Sequence, residues 1–272
     1  MSAPEITDRL PVSLRAYAAP QFSAVPDAEK PTAKAKRPVA PASSWSLIFD
    51  CETTAHPGQA LRFGAYQFRN GDKLDEAGIF YDPDGVTPDE LETLCNHAIA
   101  NGLELRTRES FVDDVFFKRA FDLRATIVGF NLPFDISRLA ISHATARTPV
   151  DSMASAMHGG FTFKLSAQKI YPNVRVKHLS QRTALISFAA TMQQLDARGQ
   201  RKRELLTPTR RGHFIDVKTL AGALFARGFS LASLSVFLKV ENPKLDFEDF
   251  DGPITDDMAR YAVRDVQATW EC

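Results

Sequence analysis

The stretch Ser44-Trp45-Ser46-Leu47-Ile48-Phe49-Asp50-Cys51-Glu52 starts as an apolar run of strand length and ends in two acids. Because side chains alternate along a strand, Asp50 and Glu52 share the face that carries Ile48. Two carboxylates that extend a buried row repel each other and lose hydration unless a cation lies between them. The stretch predicts a core strand with a candidate metal site at its carboxyl end. The alternative is a strand that simply ends there, with both acids in the solvent.

A third acid follows the next apolar strand. Residues 125–130 have the pattern of a buried strand, and a helix is predicted from about Leu132 to Ala144. Asn131 is suited to the N-cap and Pro133 to the first turn of this helix. Asp135 then lies in the first turn, where the helix dipole favours a carboxylate, and that preference alone could account for it.

The fourth acid interrupts the apolar face of the last predicted helix, from Thr255 to Trp270. Helical spacing places Asp265 on an inward stripe with Met258, Tyr261, Ala262, Val266 and Thr269. A charge on such a face requires a partner or a metal ion. Tyr261 lies one turn before Asp265, so its hydroxyl can reach the same site, although a core aromatic is the alternative.

The four acids are best explained together. About four negative charges in one pocket would be neutralised by two divalent cations, and ligation by oxygen alone suits Mg²⁺ or Mn²⁺ better than Zn²⁺. Two such ions, about 3.5–4 Å apart, can hold the attacking and leaving oxygens of an in-line phosphoryl displacement. The pattern therefore favours metal-dependent chemistry on a phosphate ester.

The rest of the chain predicts one α/β domain, residues 45–272, behind a disordered Ala/Pro-rich tail, residues 1–44. The tail holds 7 of the 16 prolines and has no sustained helical or strand period. In the domain, strands come first and strand–helix alternation follows, which is typical of a mixed sheet flanked by helices. Helical spacing covers residues 87–100 and 109–121, and three strand patterns between residues 161 and 189 predict a β insertion.

Composition excludes several classes of protein. The 272 residues are 44% hydrophobic and 24% charged, as in an ordinary globular chain. No window approaches the roughly 18 apolar residues of a membrane span. Basic and acidic residues number 33 each, which argues against a general basic coat for nucleic acid. Three cysteines without C-x-x-C spacing and six histidines without paired spacing argue against disulfides and a zinc site, and favour the reducing cytoplasm.

In chain order, three motifs resemble those of a known family. D-x-E at the end of the first strand, N-x-x-F-D opening a helix at Asn131 and Y-x-x-x-D in a late helix at Tyr261 are similar to motifs I, II and III of the DEDD 3′–5′ exonucleases. This family belongs to the ribonuclease H-like superfamily, and the tyrosine points to the DEDDy subtype. Residues 176–188 (VKHLSQRTALISF) and 212–221 (GHFIDVKTLA) are similar to the exonuclease domain of family B DNA polymerases. The resemblance covers about residues 45–272.

The resemblance implies a ribonuclease H-like mixed five-stranded sheet flanked by helices, with a β-hairpin insertion. It implies that two divalent cations, Mg²⁺ or Mn²⁺, are bound by Asp50, Glu52, Asp135 and Asp265. Tyr261 would help to place and activate the attacking water. Thr53 would lie against the terminal nucleotide, and Asn131 and Phe134 near the penultimate one. The expected reaction is hydrolysis of the terminal phosphodiester of DNA, which releases 5′-mononucleotides from the 3′ end.

Two rival functions remain open at this stage. One is a 3′–5′ exoribonuclease of the same fold, since the motifs do not distinguish DNA from RNA. The other is a non-catalytic module that binds nucleic acid. No polymerase-like segment is present, so we expect a further domain or a partner beyond Cys272 that covers Trp270.

Three further features of the sequence have simple explanations. Asp216 in HFIDVKTL is expected to cap the helix that starts near Val217, with a fifth site acid as the alternative. Six basic residues between Arg198 and Arg211, together with Arg175, Lys177 and Arg182, form either a surface that tracks phosphates or a solvated loop. The acid-rich run from Glu241 to Asp257, with its single lysine, is predicted to be a solvated surface.

Overall fold

A computed structural model of the chain describes residues 43–145, 160–180, 183–189, 213–247 and 252–272. The predicted disordered tail, apart from its last two residues, lies outside these ranges, and so do Arg182 and the basic stretch from Arg198 to Arg211. The strands in chain order are β1 (Trp45–Thr53), β2 (Leu61–Asn70), β3 (Lys73–Tyr81), β4 (Glu104–Thr107), β5 (Thr126–Gly129), β6 (Ser142–Thr145), β7 (Phe161–Lys164), β8 (Val174–Ser180), β9 (Thr183–Phe188) and β10 (His213–Asp216). The helices are α1 (Pro88–Asn101), α2 (Arg108–Ser110), α3 (Leu132–Leu139), α4 (Val217–Phe225), α5 (Leu231–Leu238) and α6 (Asp256–Glu271), and a π-helix (Phe111–Phe121) continues α2.

Within the described residues, six strands form one mixed sheet in the order β10-β5-β1-β2-β3-β4. β2 runs antiparallel to β1 and β3, whereas the pairs β1–β5, β5–β10 and β3–β4 are parallel. β1 lies inside the sheet, and its Leu47, Ile48 and Phe49 are fully buried. The predicted mixed sheet with flanking helices is confirmed.

The predicted number of strands, five, is wrong, because β4 adds a sixth at the edge. The four residues of β4 include none that is fully buried, so the segment has no apolar run that would predict a strand. Pairing with β3 holds it in the sheet, with Leu105 opposite Ile79, and Leu105 also packs on the cluster that includes Ile48. An edge strand of this kind depends on its neighbour's backbone rather than on its own pattern.

The two faces of β1 pack against different helices. The face of Leu47 and Phe49 packs on the π-helix, where Phe111 stacks on Phe80 with ring centroids 4.1 Å apart. The face of Ile48 packs on α6, in a cluster that includes Met258, Ala262 and Val266. Because Asp50 and Glu52 share the face of Ile48, this packing brings the apolar stripe of α6 over the acidic end of β1.

The helix predicted from Leu132 to Ala144 is too long. α3 ends at Leu139, and residues 142–145 form β6 instead. β6 joins a second sheet in the order β6-β7-β8-β9, all antiparallel, so the predicted β insertion has four described strands. Among the described residues, the four exposed residues of β6 pair with β7, and helical spacing alone could not reveal that pairing.

The helical spacing predicted for residues 109–121 corresponds mainly to a π-helix. Its buried residues come in groups that start four or five positions apart, wider than the 3.6-residue repeat of an α-helix. The wider turn lets one helix bury a nearly continuous set of phenylalanine and valine side chains and one alanine against the sheet: Phe111, Val112, Val115, Phe116, Phe117, Ala120 and Phe121.

Two observations concern the chemical setting of the chain. None of the helices in the described ranges combines the length and the apolar character that crossing a bilayer requires. The three cysteines, all of them described, carry free thiols. The Cys51 thiol is buried, and burial together with the carboxylates of Asp135 and Asp50 raises its pKa well above the ordinary value.

Candidate metal centre

Three of the predicted acids converge at the carboxyl end of β1. Asp50 and Glu52 come from β1, and Asp265 comes from the middle of α6. Each offers a carboxylate oxygen, and these oxygens lie within 4.8 Å of one another. We call Asp50, Glu52 and Asp265 the acidic trio. Residues far apart in the chain meet here because α6 packs on the Ile48 face of β1.

The start of α6 is held in place by a buried ion pair. Nη2 of Arg62 on β2 lies 2.5 Å from Oε1 of Glu90 on α1, and both side chains are only 9% exposed. Arg62 also donates to the carbonyl of Gly252, and Glu90 accepts from the amide of Ile254, just before α6. The sheet, α1 and the start of α6 are therefore tied together, which fixes the position of Asp265 relative to β1.

Burial and mutual repulsion raise the pKa of each trio carboxyl. For Asp50, burial and the charge of Asp265 raise the pKa from 3.8 to about 7. For Glu52, burial and the charges of Asp50 and Asp265 raise the pKa from 4.5 to about 8. Burial also raises the pKa of Asp265, although Lys244 and the Tyr261 hydroxyl counteract part of that effect. Carboxylates in this situation favour a bound cation or proton over free solvent.

Asp135 lies beside the trio but is not part of the three-residue cluster. It is 2% exposed, in the first turn of α3, and its Oδ1 accepts a hydrogen bond of 3.3 Å from the amide of Cys51, the residue between the two acids of β1. Burial and the charge of Asp50 raise its pKa well above the ordinary value. The structure thus places the fourth predicted acid against the trio from the neighbouring junction of β5 and α3.

Two carboxylate oxygens of this region are buried without a hydrogen-bond partner among the described residues. They are Oδ2 of Asp135 and Oδ1 of Asp265. A buried carboxylate oxygen that no donor satisfies is costly, and a hard cation is the ligand that compensates it. The donor set of acidic oxygens and these two unsatisfied atoms fit Mg²⁺ or Mn²⁺. The trio offers one carboxylate oxygen from each of its three residues to a single cation.

Asp216 caps two helices and is not one of the acidic trio. Its Oδ2 accepts from the amide of Thr219 and caps α4, which confirms the predicted cap. Its Oδ1 accepts from the amides of Asn131 and Leu132 at the start of α3. One carboxylate therefore fixes both helix N-termini, and it holds the turn that presents Asp135.

The predicted nucleotide contacts occupy the rim of the same region. Thr53 is half-buried at the end of β1, next to an irregularity in the pairing with β2. Asn131 precedes α3 as predicted, but in a left-handed conformation (φ 71°) and without a side-chain cap, because Asp216 supplies the capping oxygen. Phe134 is half-buried, and the guanidinium of Arg138 lies 4.9 Å from its ring centre. The structure places the three residues near the acids, and their contact with nucleotides remains a prediction.

Tyr261 points into the trio, as the helical stripe predicts. Its hydroxyl interacts with the Asp265 carboxylate and accepts from Nζ of Lys244. Burial and the charges of Asp265 and Glu52 raise its pKa far above the ordinary value. The phenol therefore stays protonated at neutral pH and can donate a hydrogen bond.

Lys244 is the site residue that sequence reasoning missed. It belongs to the acid-rich run from Glu241 to Asp257, for which the sequence predicts a solvated surface, and for this lysine the prediction is wrong. Its Nζ donates to Oδ2 of Asp265 and to Tyr261, and it lies 4.3 Å from the centre of the Tyr261 ring. A single lysine among acids was the available signal, but only the packing of the segment on α6 reveals where the side chain points.

No protein-family model matches the chain. No curated protein matches it either. The function of the site is therefore inferred from its residues and geometry.

Proposed function

We propose that this protein is a metal-dependent 3′–5′ exonuclease of ribonuclease H-like fold, of the DEDDy subtype. Its proposed substrate is DNA, from which it releases 5′-mononucleotides. The convergence of Asp50, Glu52 and Asp265 within 4.8 Å, on a central strand and the helix that crosses it, is the observation that carries the proposal. The mixed sheet and the position of the acids at the end of β1 support the assignment of the fold.

The proposed roles follow from the contacts of each side chain. The acidic trio and Asp135 would hold two divalent cations, which neutralise charge at the phosphate and lower the pKa of a bound water. Tyr261 would orient that water as a hydrogen-bond donor, since its raised pKa keeps the phenol protonated. Cys51 and Asp216 are positioning residues, because their contacts fix the first turn of α3 and therefore Asp135.

The rim residues would hold the 3′ end. Thr53 follows Glu52 at the end of β1, and Phe134 offers an aromatic ring beside Asp135, on which a nucleobase can stack. DNA is preferred over RNA because the resemblance of the chain is to exonuclease domains of DNA polymerases. A polymerase-like domain or partner that supplies the mismatched 3′ end is part of the same proposal, as is a cytoplasmic setting.

One assay tests the proposal directly. DNA and RNA oligonucleotides of the same sequence, labelled at the 5′ end, are incubated with the protein in Mg²⁺, Mn²⁺ or EDTA. A ladder that shortens from the 3′ end in metal and stays intact in EDTA is expected, with faster cleavage of DNA. The variant Asp265→Asn removes an acid of the trio and should lose this cleavage. Its matched control is Asp257→Asn, which removes an exposed acid from the start of α6. Faster cleavage of RNA would favour the exoribonuclease, and binding without cleavage would favour the non-catalytic module.

A further inference from the structure

The ammonium group of Lys244 occupies one of the two carboxylate oxygens of Asp265, an acid of the proposed metal site. Its Nζ donates to Oδ2 of Asp265, while Oδ1 of the same carboxylate has no hydrogen-bond partner among the described residues. The Asp265 side chain is 3% exposed and that of Lys244 is 25% exposed, so the lysine reaches inward from the surface. Lys244 therefore binds the one acid that α6 contributes to the trio.

The backbone around Lys244 is anchored on both sides. Upstream, the amide and side chain of Asn242 donate to the carboxylate of Glu271, at 2.7 and 2.6 Å. Downstream, the ring of Phe247 packs on Tyr261, with centroids 5.5 Å apart. Release of Asp265 therefore requires only rotation of the lysine side chain toward the solvent, and the segment itself can stay in place.

We propose that Lys244 competes with the divalent cation for Asp265 and so sets the metal affinity of the site, an inference that rests on the proposed metal-dependent function. A cation that binds the trio must displace the ammonium group from Asp265, because two positive charges on the same carboxylate repel each other. The lysine therefore lowers the affinity of the site for the cation. In return it neutralises one of the three carboxylate charges when no cation is bound.

Binding of Mn²⁺ alone tests this competition without any measurement of activity. The dissociation constant is measured by the paramagnetic resonance signal of free Mn²⁺ for the wild type and for Lys244→Met, Lys244→Arg and Lys73→Met. Lys244→Met should bind Mn²⁺ about tenfold more tightly or better, since an opposite charge in contact shifts a carboxylate by roughly 1–3 pK units. Lys244→Arg keeps the charge and should show no such gain. Lys73 is exposed on β3, so Lys73→Met controls for the loss of one positive charge.

The wild-type protein provides a second readout. Acetylation by a limiting amount of acetic anhydride, followed by mass spectrometry, reports how accessible each lysine amine is. Relative to Lys73, the amine of Lys244 should be acetylated faster in Mn²⁺ than in EDTA, because the bound cation displaces it from Asp265.

Each outcome decides a different point. Equal or weaker Mn²⁺ binding by Lys244→Met, or acetylation of Lys244 that does not respond to Mn²⁺, would overturn the competition and leave the proposed function intact. Absence of Mn²⁺ binding in every variant would overturn both. Circular dichroism of each variant in EDTA confirms that the comparison is made on folded protein.

Discussion

The backbone amide of Cys51 donates a hydrogen bond of 3.3 Å to Oδ1 of Asp135, across 84 positions of sequence. The donor lies between the two acids of β1, so the bond fixes the fourth acid relative to the trio. The other oxygen of Asp135 has no hydrogen-bond partner among the described residues. The Asp135 carboxylate therefore links α3 to β1 by a hydrogen bond and is also a candidate metal ligand.

This double role separates two substitutions of Asp135. Asp135→Asn can still accept from Cys51 through its amide oxygen, so we expect near-normal stability and a loss of Mn²⁺ binding and hydrolysis. Asp135→Ala removes the acceptor as well and should lower the free energy of unfolding by about 1–3 kcal/mol, because a buried amide loses its partner. Urea denaturation measures the stability, and end-labelled DNA measures the activity. Full activity of Asp135→Asn would contradict its role as a ligand.

Neutralising a trio acid should stabilise the protein while abolishing catalysis. Asp50→Asn removes a negative charge that is disfavoured by burial and by repulsion from Asp265, the two causes that raise the pKa of Asp50 to about 7. In EDTA at pH 8 we expect a gain of about 1–2 kcal/mol in the free energy of unfolding, since part of the pKa difference is screened by solvent. Thermal denaturation with and without Mn²⁺ measures this gain. The exposed Asp257→Asn should change neither property, and a destabilised Asp50→Asn would argue against repulsion within the trio.

The trio also predicts how stability depends on pH in EDTA. The carboxyls of Asp50 and Glu52 have pKa values of about 7 and 8 in the folded protein, above 3.8 and 4.5. The folded state therefore binds more protons than the unfolded chain in this window, and the free energy of unfolding falls as the pH rises from about 4 to about 8. Urea midpoints at four pH values across this window measure the slope. The double variant Asp50→Asn, Glu52→Gln should flatten it, and a wild-type slope of opposite sign would contradict the shifted pKa values.

Tyr261→Phe should slow hydrolysis without loss of metal or DNA binding. The variant keeps the ring that packs on Phe247 and deletes only the hydroxyl beside Asp265. We expect a decrease of at most roughly 10²–10⁴-fold in the single-turnover rate, smaller than the loss in Asp50→Asn or Asp265→Asn. A rate equal to the wild type would mean that Tyr261 is only a core residue and would remove support for the DEDDy subtype.

Gly64 supports the trio from the neighbouring strand. It pairs with Cys51, and a Cβ at this position would clash with the backbone oxygen of Asp50 and the ring of Phe80. Gly64→Ala should therefore destabilise the protein by about 1–3 kcal/mol and weaken Mn²⁺ binding, because the end of β1 must shift. Gly58→Ala, where a Cβ meets only a histidine side chain at 3.5 Å, is the matched control for the denaturation and binding measurements. Unchanged Mn²⁺ binding would show that Asp50 tolerates the shift.

The outer face of the second sheet is expected to bind the nucleic-acid backbone. Arg175 and Lys177 are exposed on β8, while Val174 and Val176, which alternate with them, are buried. Replacing both cations by serine should weaken DNA binding and reduce its salt dependence by about 0.7 log units for each phosphate of a single strand that the variant no longer neutralises. Fluorescence anisotropy over a series of salt concentrations measures this dependence, with Lys73→Ser as control. An unchanged salt slope would mean that this face is only solvated.

Local sequence was sufficient where a repeating pattern was strong. Alternation along β1 predicted a buried strand with Asp50 and Glu52 on one face, and helical spacing predicted that Asp265 is buried on α6, where it is 2% exposed. The cap at Asp216 followed from residue type and position alone. These features depend on neighbours within a few residues, so the local sequence is sufficient to predict them. The family and the reaction remain predictions.

Only the tertiary structure decided which contacts complete the site around the predicted acids. Nothing in the order of residues indicates that Lys244 reaches Asp265, that Asp216 caps α3 as well as α4, or that residues 142–145 leave the helical pattern to pair with β7. Each depends on a partner supplied by another element: the surface of α6, the start of α3, the edge of a sheet. Pairing and charge interactions between segments far apart in the chain leave no periodic trace in either segment, because they are set by how the elements pack and not by local backbone preference.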